Sequence, residues 1–142
     1  MLRIDKAFNI IGLALIILAC SLAIAQAQTP SSTSVQWLWP SQSVAAAQST
    51  TAMVQGQIGR ARAAAERARL SARGFDEIVA LHNLCLLDLG RGEYSANCGE
   101  ALRAASKLPV IIQGRSLPEI VAANIAHVVR QDRAQTANLV LN

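Results

Sequence analysis

Apolar and polar positions divide the chain into stretches of different period. Residues 7–24 form an almost unbroken apolar run, with Asn9 and Ser21 its only polar side chains, behind the cations Arg3 and Lys6. Residues 28–50 carry no charge, are rich in Ser, Thr, Gln and Ala, include Pro30 and Pro40, and read as a flexible spacer. From Thr51 to Ser71 the pattern turns helical. Ile58, Ala61, Ala65, Ala68 and Ala72 recur at steps of three and four, a stripe of small residues against which a neighbouring helix can approach closely. Asp76, suited to cap a helix, precedes a stretch from Ile78 to Leu89 that is apolar on nearly every side, which predicts a helix buried between two neighbours. Gly90-Arg91-Gly92 stops it. A second helix is expected over Glu93 to Lys107, with Tyr94, Cys98, Ala101, Leu102 and Ala105 inward and Pro109 closing it. Two helices joined by so short a turn lie antiparallel. A further helix is expected from Pro118 to about Arg133, leaving residues 134–142 as a tail.

The first thirty residues change how the rest is counted. A positive start, an apolar run and the small-x-small triplet Ala25-Gln26-Ala27 have the form of an export signal over residues 1–27, cleaved to leave Gln28 as the first mature residue. That places the protein in the periplasm or outside the cell. Two alternatives keep the segment in the membrane: an uncleaved anchor, because the apolar run is at the lower limit of a bilayer span, and lipidation at Cys20, whose preceding Ile17-Leu18-Ala19 resembles a lipoprotein box apart from Leu18. With 142 residues, 52% of them hydrophobic, 15% charged and 4% aromatic, and a mean hydropathy of +0.31, the chain holds one folded domain and is not mainly disordered. Without residues 1–27 the net charge falls from +4 to +3, and the cysteines reduce to Cys85 and Cys98, an even number in a compartment that permits disulfides.

Charge and aromatic residues suggest surfaces rather than chemistry. Arg60, Arg62, Arg67, Arg69 and Arg73 against the single Glu66 make one helix face basic. A solvated face accounts for it; an acidic partner or anionic lipid headgroups are the alternatives, so membrane contact stays open, whereas no aromatic residue is interleaved to stack on nucleic-acid bases. Trp37 and Trp39 hold all the indole of the chain, within an otherwise polar stretch. Their rings either fold back onto the helical body or form a docking motif, since tryptophans often dominate interface energies. No nucleophile elbow, HExxH, phosphate loop or dinucleotide fingerprint is present, and no carboxylate pair falls on one inner helix face. No catalytic residue, cofactor, metal or small-molecule substrate is therefore expected.

Residues 84–109 resemble one tetratricopeptide repeat. Leu84 stands at the leucine position and Cys85 at the small-residue position of the first helix; Gly92 and Tyr94 match the turn, Ala104 the late small residue and Pro109 the closing proline. Leu81, Asp88, Asn97 and Ala101 depart from the pattern at its tryptophan, tyrosine, alanine and aromatic positions. A weaker copy begins at Pro118, where Glu119-Ile120-Val121-Ala122 echoes Glu77-Ile78-Val79-Ala80 at an offset of 42 residues, with Val110 to Leu117 as an enlarged loop. The resemblance implies an all-α fold of about four helices over residues 51–133, short antiparallel hairpins stacked as a solenoid, with the Arg-rich and C-terminal helices as caps. It also implies a groove lined by first-helix side chains, His82 and Leu86 on this chain, that takes a segment of another protein.

Within that hairpin frame Cys85 and Cys98 lie at one height, each six residues from the Arg91-Gly92 turn. Cys85 also takes the position of closest helix approach, so the frame points to a structural disulfide. A two-Cys, two-His metal site with His82 and His127 matches no zinc-ligand spacing, and a redox pair would favour Cys-x-x-Cys at an exposed helix start. The expectation is an exported protein-binding module.

Overall fold

A computed structural model describes residues 34–140. These residues build helices α1 (Val44–Val54), α2 (Ile58–Ser71), α3 (Phe75–Leu89) and α4 (Ala96–Ser106), a two-residue hairpin β1 (Ile111–Ile112) and β2 (Arg115–Ser116), and α5 (Leu117–Val140). The expected signal, its cleavage site and Cys20 lie outside the described residues. Among the described residues no helix is long and apolar enough to cross a membrane.

Local chemistry sets the boundaries. Ser43 caps α1 by accepting a hydrogen bond from the Ala46 amide at 3.3 Å. α1 and α3 then end in the same way. At the end of α1 the Gln57 amide donates to Ala52 O and the Gly56 amide to Met53 O; at the end of α3 the Glu93 amide donates to Asp88 O and the Gly92 amide to Leu89 O. Both are Schellman closures, and both need a left-handed residue that glycine supplies, at φ 71° for Gly56 and 76° for Gly92. In β1–β2, Ile111 pairs with Ser116 and Ile112 with Arg115. Its turn residues Gln113 and Gly114 both have positive φ, the geometry that matches strand twist in a two-residue hairpin. α5 opens with a capping box: the Ser116 amide and hydroxyl both donate to Glu119 Oε2 at 2.8 Å.

Helices adjacent in sequence pack together, and α3 also packs on α1 and α5. Among the described residues α3 therefore touches every other helix and is buried continuously from Ile78 to Leu89, as its all-round apolar character predicts. Ala46, Ala61, Ala64, Ala65 and Ala68 are buried on α1 and α2, so this hairpin closes over small side chains. The sulfurs of Cys85 and Cys98 are bonded, 2.07 Å apart, with Cα atoms 4.7 Å apart and both residues fully buried, joining α3 to α4.

Several details differ from the sequence reading: Tyr94, expected to face inward, is exposed and precedes α4, which starts at Ala96. The helix expected from Thr51 to Ser71 is two helices, because Gly56 ends α1 and reverses the chain. The spacer of residues 28–50 becomes structured from Val35: an extended segment buries Leu38, and α1 begins at Val44 with Ser49 and Thr50 in the interior. The enlarged loop contains the β-hairpin. The tail from residue 134 continues α5 to Val140, where nothing in residues 134–140 breaks a helix. Asp76 also does not cap α3, whose N-cap position is Gly74; its carboxylate instead accepts from the Gln42 and Ser43 amides at 3.0 Å and anchors the entry to α1.

The closed loop between Cys85 and Cys98 is short and its ends are fully buried. A Cys85→Ser, Cys98→Ser double variant should lose about 3 kcal/mol of stability while keeping its helical circular dichroism at 20 °C, checked by urea unfolding.

Candidate functional site

The interior holds more polar chemistry than an all-helical core requires. His82 on α3 and Asn124 on α5 are 42 residues apart in sequence, and the Asn124 Nδ2 donates to His82 Nε2 at 3.0 Å. The same Nδ2 donates to the Gln36 carbonyl at 2.9 Å, and Asn124 Oδ1 accepts from the Gln36 amide at 2.9 Å. Because a backbone carbonyl and a backbone amide face its two ends, the Asn124 amide has one possible orientation. His82 Nε2 must then be the acceptor, so its proton sits on Nδ1 and is donated to Asn83 Oδ1 at 3.1 Å. Asn83 Nδ2 in turn donates to Ser49 Oγ at 3.1 Å and Thr50 Oγ1 at 3.0 Å on α1. Those hydroxyls donate to Ala61 O and Ala46 O, which completes a chain of bonds from the N-terminal segment through α5, α3 and α1 to α2.

Burial holds His82 neutral. It is fully enclosed, and desolvation pulls its pKa from 6.5 down to about 4, outweighing the bond to Asn83 that favours the charged form. A second proton on Nε2 would also face the Asn124 NH2, donor against donor. His82 and Leu86, expected to line a groove, are instead core residues at 0% and 5% exposure, because α3 is covered by four helices and the N-terminal segment.

A second polar centre joins α2, α3 and α4. Arg62 Nη2 donates to Asp88 Oδ1 at 2.8 Å, and Asn97 Nδ2 donates to Asp88 Oδ2 at 3.1 Å. Burial would raise the Asp88 pKa, but the Ser95 hydroxyl, Arg62 and Asn97 outweigh it and the net shift is downward. Asp88 and Asn97, two of the departures from the repeat pattern, thus bond to each other.

The basic face is divided by these contacts. Arg62 is committed to Asp88, and Arg69 pairs with Glu100 at 3.2 Å. Arg73 donates to the neighbouring Ala72 carbonyl, and Arg60 to Gln57. Arg60 and Arg67 border an open groove of about 700 Å³ between α1 and α2 whose lining includes no carboxylate. No cluster of three or more His, Cys, Asp or Glu suited to a metal occurs among the described residues.

The tryptophan motif splits by depth. Leu38 between the two rings is 1% exposed, Trp37 is half-buried against the core, and Trp39 is 40% exposed. Trp39 and Pro40 meet Phe75, Val110, Ile111 and Ile112 around a cleft of about 660 Å³, bordered by Arg73 and Asp76. Ile111 is 65% exposed there, so an apolar surface built from three separate segments is open to solvent. The sequence signal for this cleft was the tryptophan pair; its second wall, the β1 strand, carried no signal that tied it to residue 39. No protein-family model, curated protein or solved structure matches the chain.

Two outcomes test the interior. An unfolded chain protonates histidine near 6.5 and the folded chain only near 4, so the folded state binds fewer protons between those values and loses stability as pH falls through that window. Urea titrations at pH 7, 5.5 and 4.5 should show a decline approaching about 3 kcal/mol, most of it absent from a folded His82→Gln variant. Asp88→Ala strands Arg62 and Asn97 and should cost about 2 kcal/mol by the same measurement, with the helix content unchanged at pH 7.

Proposed function

We propose that the protein is an exported, disulfide-stapled, tetratricopeptide-like module that binds another protein through the apolar surface around Trp39. The observation that carries the binding reading is the convergence of Trp39, Phe75 and Ile111 on one solvent-open cleft beside Arg73. A large exposed aromatic flanked by aliphatic side chains and a cation has the composition of an interface anchor rather than of a solvated surface. This replaces the groove expected at His82 and Leu86.

The repeat-like frame is supported by the packing order. α1, α3 and α5 pack in succession, and α2 and α4 each pack on the helix that follows, as stacked helical hairpins do. Export is supported by the buried Cys85–Cys98 bond, which persists in oxidising compartments, and by the form of residues 1–27. Lipid contact through the Arg-rich helix has less support, since Arg62 and Arg69 already hold carboxylates.

Trp39→Ala should leave unfolding stability within about 0.5 kcal/mol while reducing capture of the partner at least tenfold. Photo-crosslinking from residue 111 in native cells, read by mass spectrometry, checks it: one recurring crosslinked protein, lost in Trp39→Ala, is the expected result. No crosslinked protein, or one unaffected by Trp39→Ala, would refute the reading.

A further inference from the structure

The segment Val35–Leu38 is held in an unusual manner for part of a core. Among the described residues no strand pairs with it. Its backbone is gripped at Gln36 by a side chain, the Asn124 amide, which satisfies both the amide and the carbonyl of that residue at 2.9 Å. Its anchoring side chain is Leu38, with Val35 and Trp37 packed only partly against the core. The Gln36 side chain adds exposed bonds to Arg115 and Gln113 on the β-hairpin.

The grip does not depend on the segment it holds. His82 Nε2 fixes Asn124 from the opposite side, Asn83 fixes His82, and Ser49 and Thr50 fix Asn83. With the segment withdrawn, Asn124 would still present Oδ1 and one N–H toward the vacated path, spaced to receive the backbone N–H and C=O of one residue of any type but proline. Two unmet polar atoms beside an apolar socket vacated by Leu38 is a costly state, which a strand of suitable shape relieves.

We propose that the seam between α3 and α5 is a binding site for an extended apolar strand of a partner protein, and that residues 35–38 are its resident occupant. The ligand has the pattern of the strap itself: apolar at the positions of Val35, Trp37 and Leu38, with the backbone N–H and C=O of the residue at position 36 held by Asn124. This rests on the protein-binding reading above and adds the partner's chemistry. Displacement of the strap also frees Trp37, which is packed against the core, for the same partner. Because the resident strap is tethered, its effective concentration is high and a free strand competes poorly until the strap is weakened.

The probe is a fluorescein-labelled synthetic peptide spanning residues 33–40, added to the chain from residue 28 onward and followed by anisotropy. The Leu38→Ala variant, folded by circular dichroism, should bind it at least tenfold more tightly than the wild-type chain, and adding Asn124→Ala should abolish that binding. A folded Leu38→Ala chain that does not take up the peptide overturns the proposal. Should Leu38→Ala fail to fold, amide hydrogen exchange on the wild-type chain decides: the Gln36 amide exchanging at least tenfold faster than the amides of Val79 to Cys85 shows a strap that opens alone, and equal rates overturn the proposal. Trp39-dependent crosslinking with no peptide uptake would leave the protein-binding reading standing and remove this one.

Discussion

A helix buried on every side must find partners for each polar atom it carries, and α3 carries a histidine and an asparagine at adjacent positions. The surrounding helices satisfy them, and in doing so take fixed places. Ser49 and Thr50 have to face inward on α1, Asn124 has to face inward on α5, and the N-terminal segment has to lie where Asn124 can meet its backbone. Every polar hydrogen in the network from Gln36 through Asn124, His82 and Asn83 to Ser49 and Thr50 has a defined acceptor, so sliding any one helix would leave buried groups unmatched. Apolar packing alone tolerates such shifts; the polar chain does not.

The hairpin of α3 and α4 is fixed twice more, near its turn. The Cys85–Cys98 bond ties the helices at one level, and Asp88 with Asn97 ties them closer to Gly92. Arg62 brings α2 into the same cluster. Asp88 and Asn97 thus belong together: a carboxylate on one helix is useful only with donors on its neighbours. The exposed apolar cleft lies outside this cluster, between the segment at Trp39 and the β-hairpin. Phe75, at the start of α3, completes the cleft, so the functional reading settles where a helix end meets those two segments.

The central hairpin was legible because its signals are local. Continuous apolar character marked α3 as enclosed, glycines marked its end, and equal distances from the turn put the cysteines at one height. The first hairpin was not. Its residues are mostly alanine, serine, threonine and glutamine, whose contrast between faces is small, so Gly56 read as a residue within a helix and Ser49 and Thr50 as spacer. His82 was misread for a different reason. A histidine among leucines is equally consistent with a groove wall and with a core, and the atoms that decide, on Asn83 and Asn124, become neighbours of its ring only after folding.

What the sequence determined by itself is therefore the class of fold, the buried hairpin and the pairing of its cysteines, all set by side-chain period and short-range spacing along a regular helix. The tertiary structure alone decided that residues 34 and 42 positions apart join in one polar network, that the tryptophan segment splits into a buried leucine and an exposed ring, and that His82 and Leu86 are enclosed in the core. The reason is one of range: period and spacing act within a few turns of chain, whereas satisfaction of a buried donor depends on whichever distant segment supplies an acceptor.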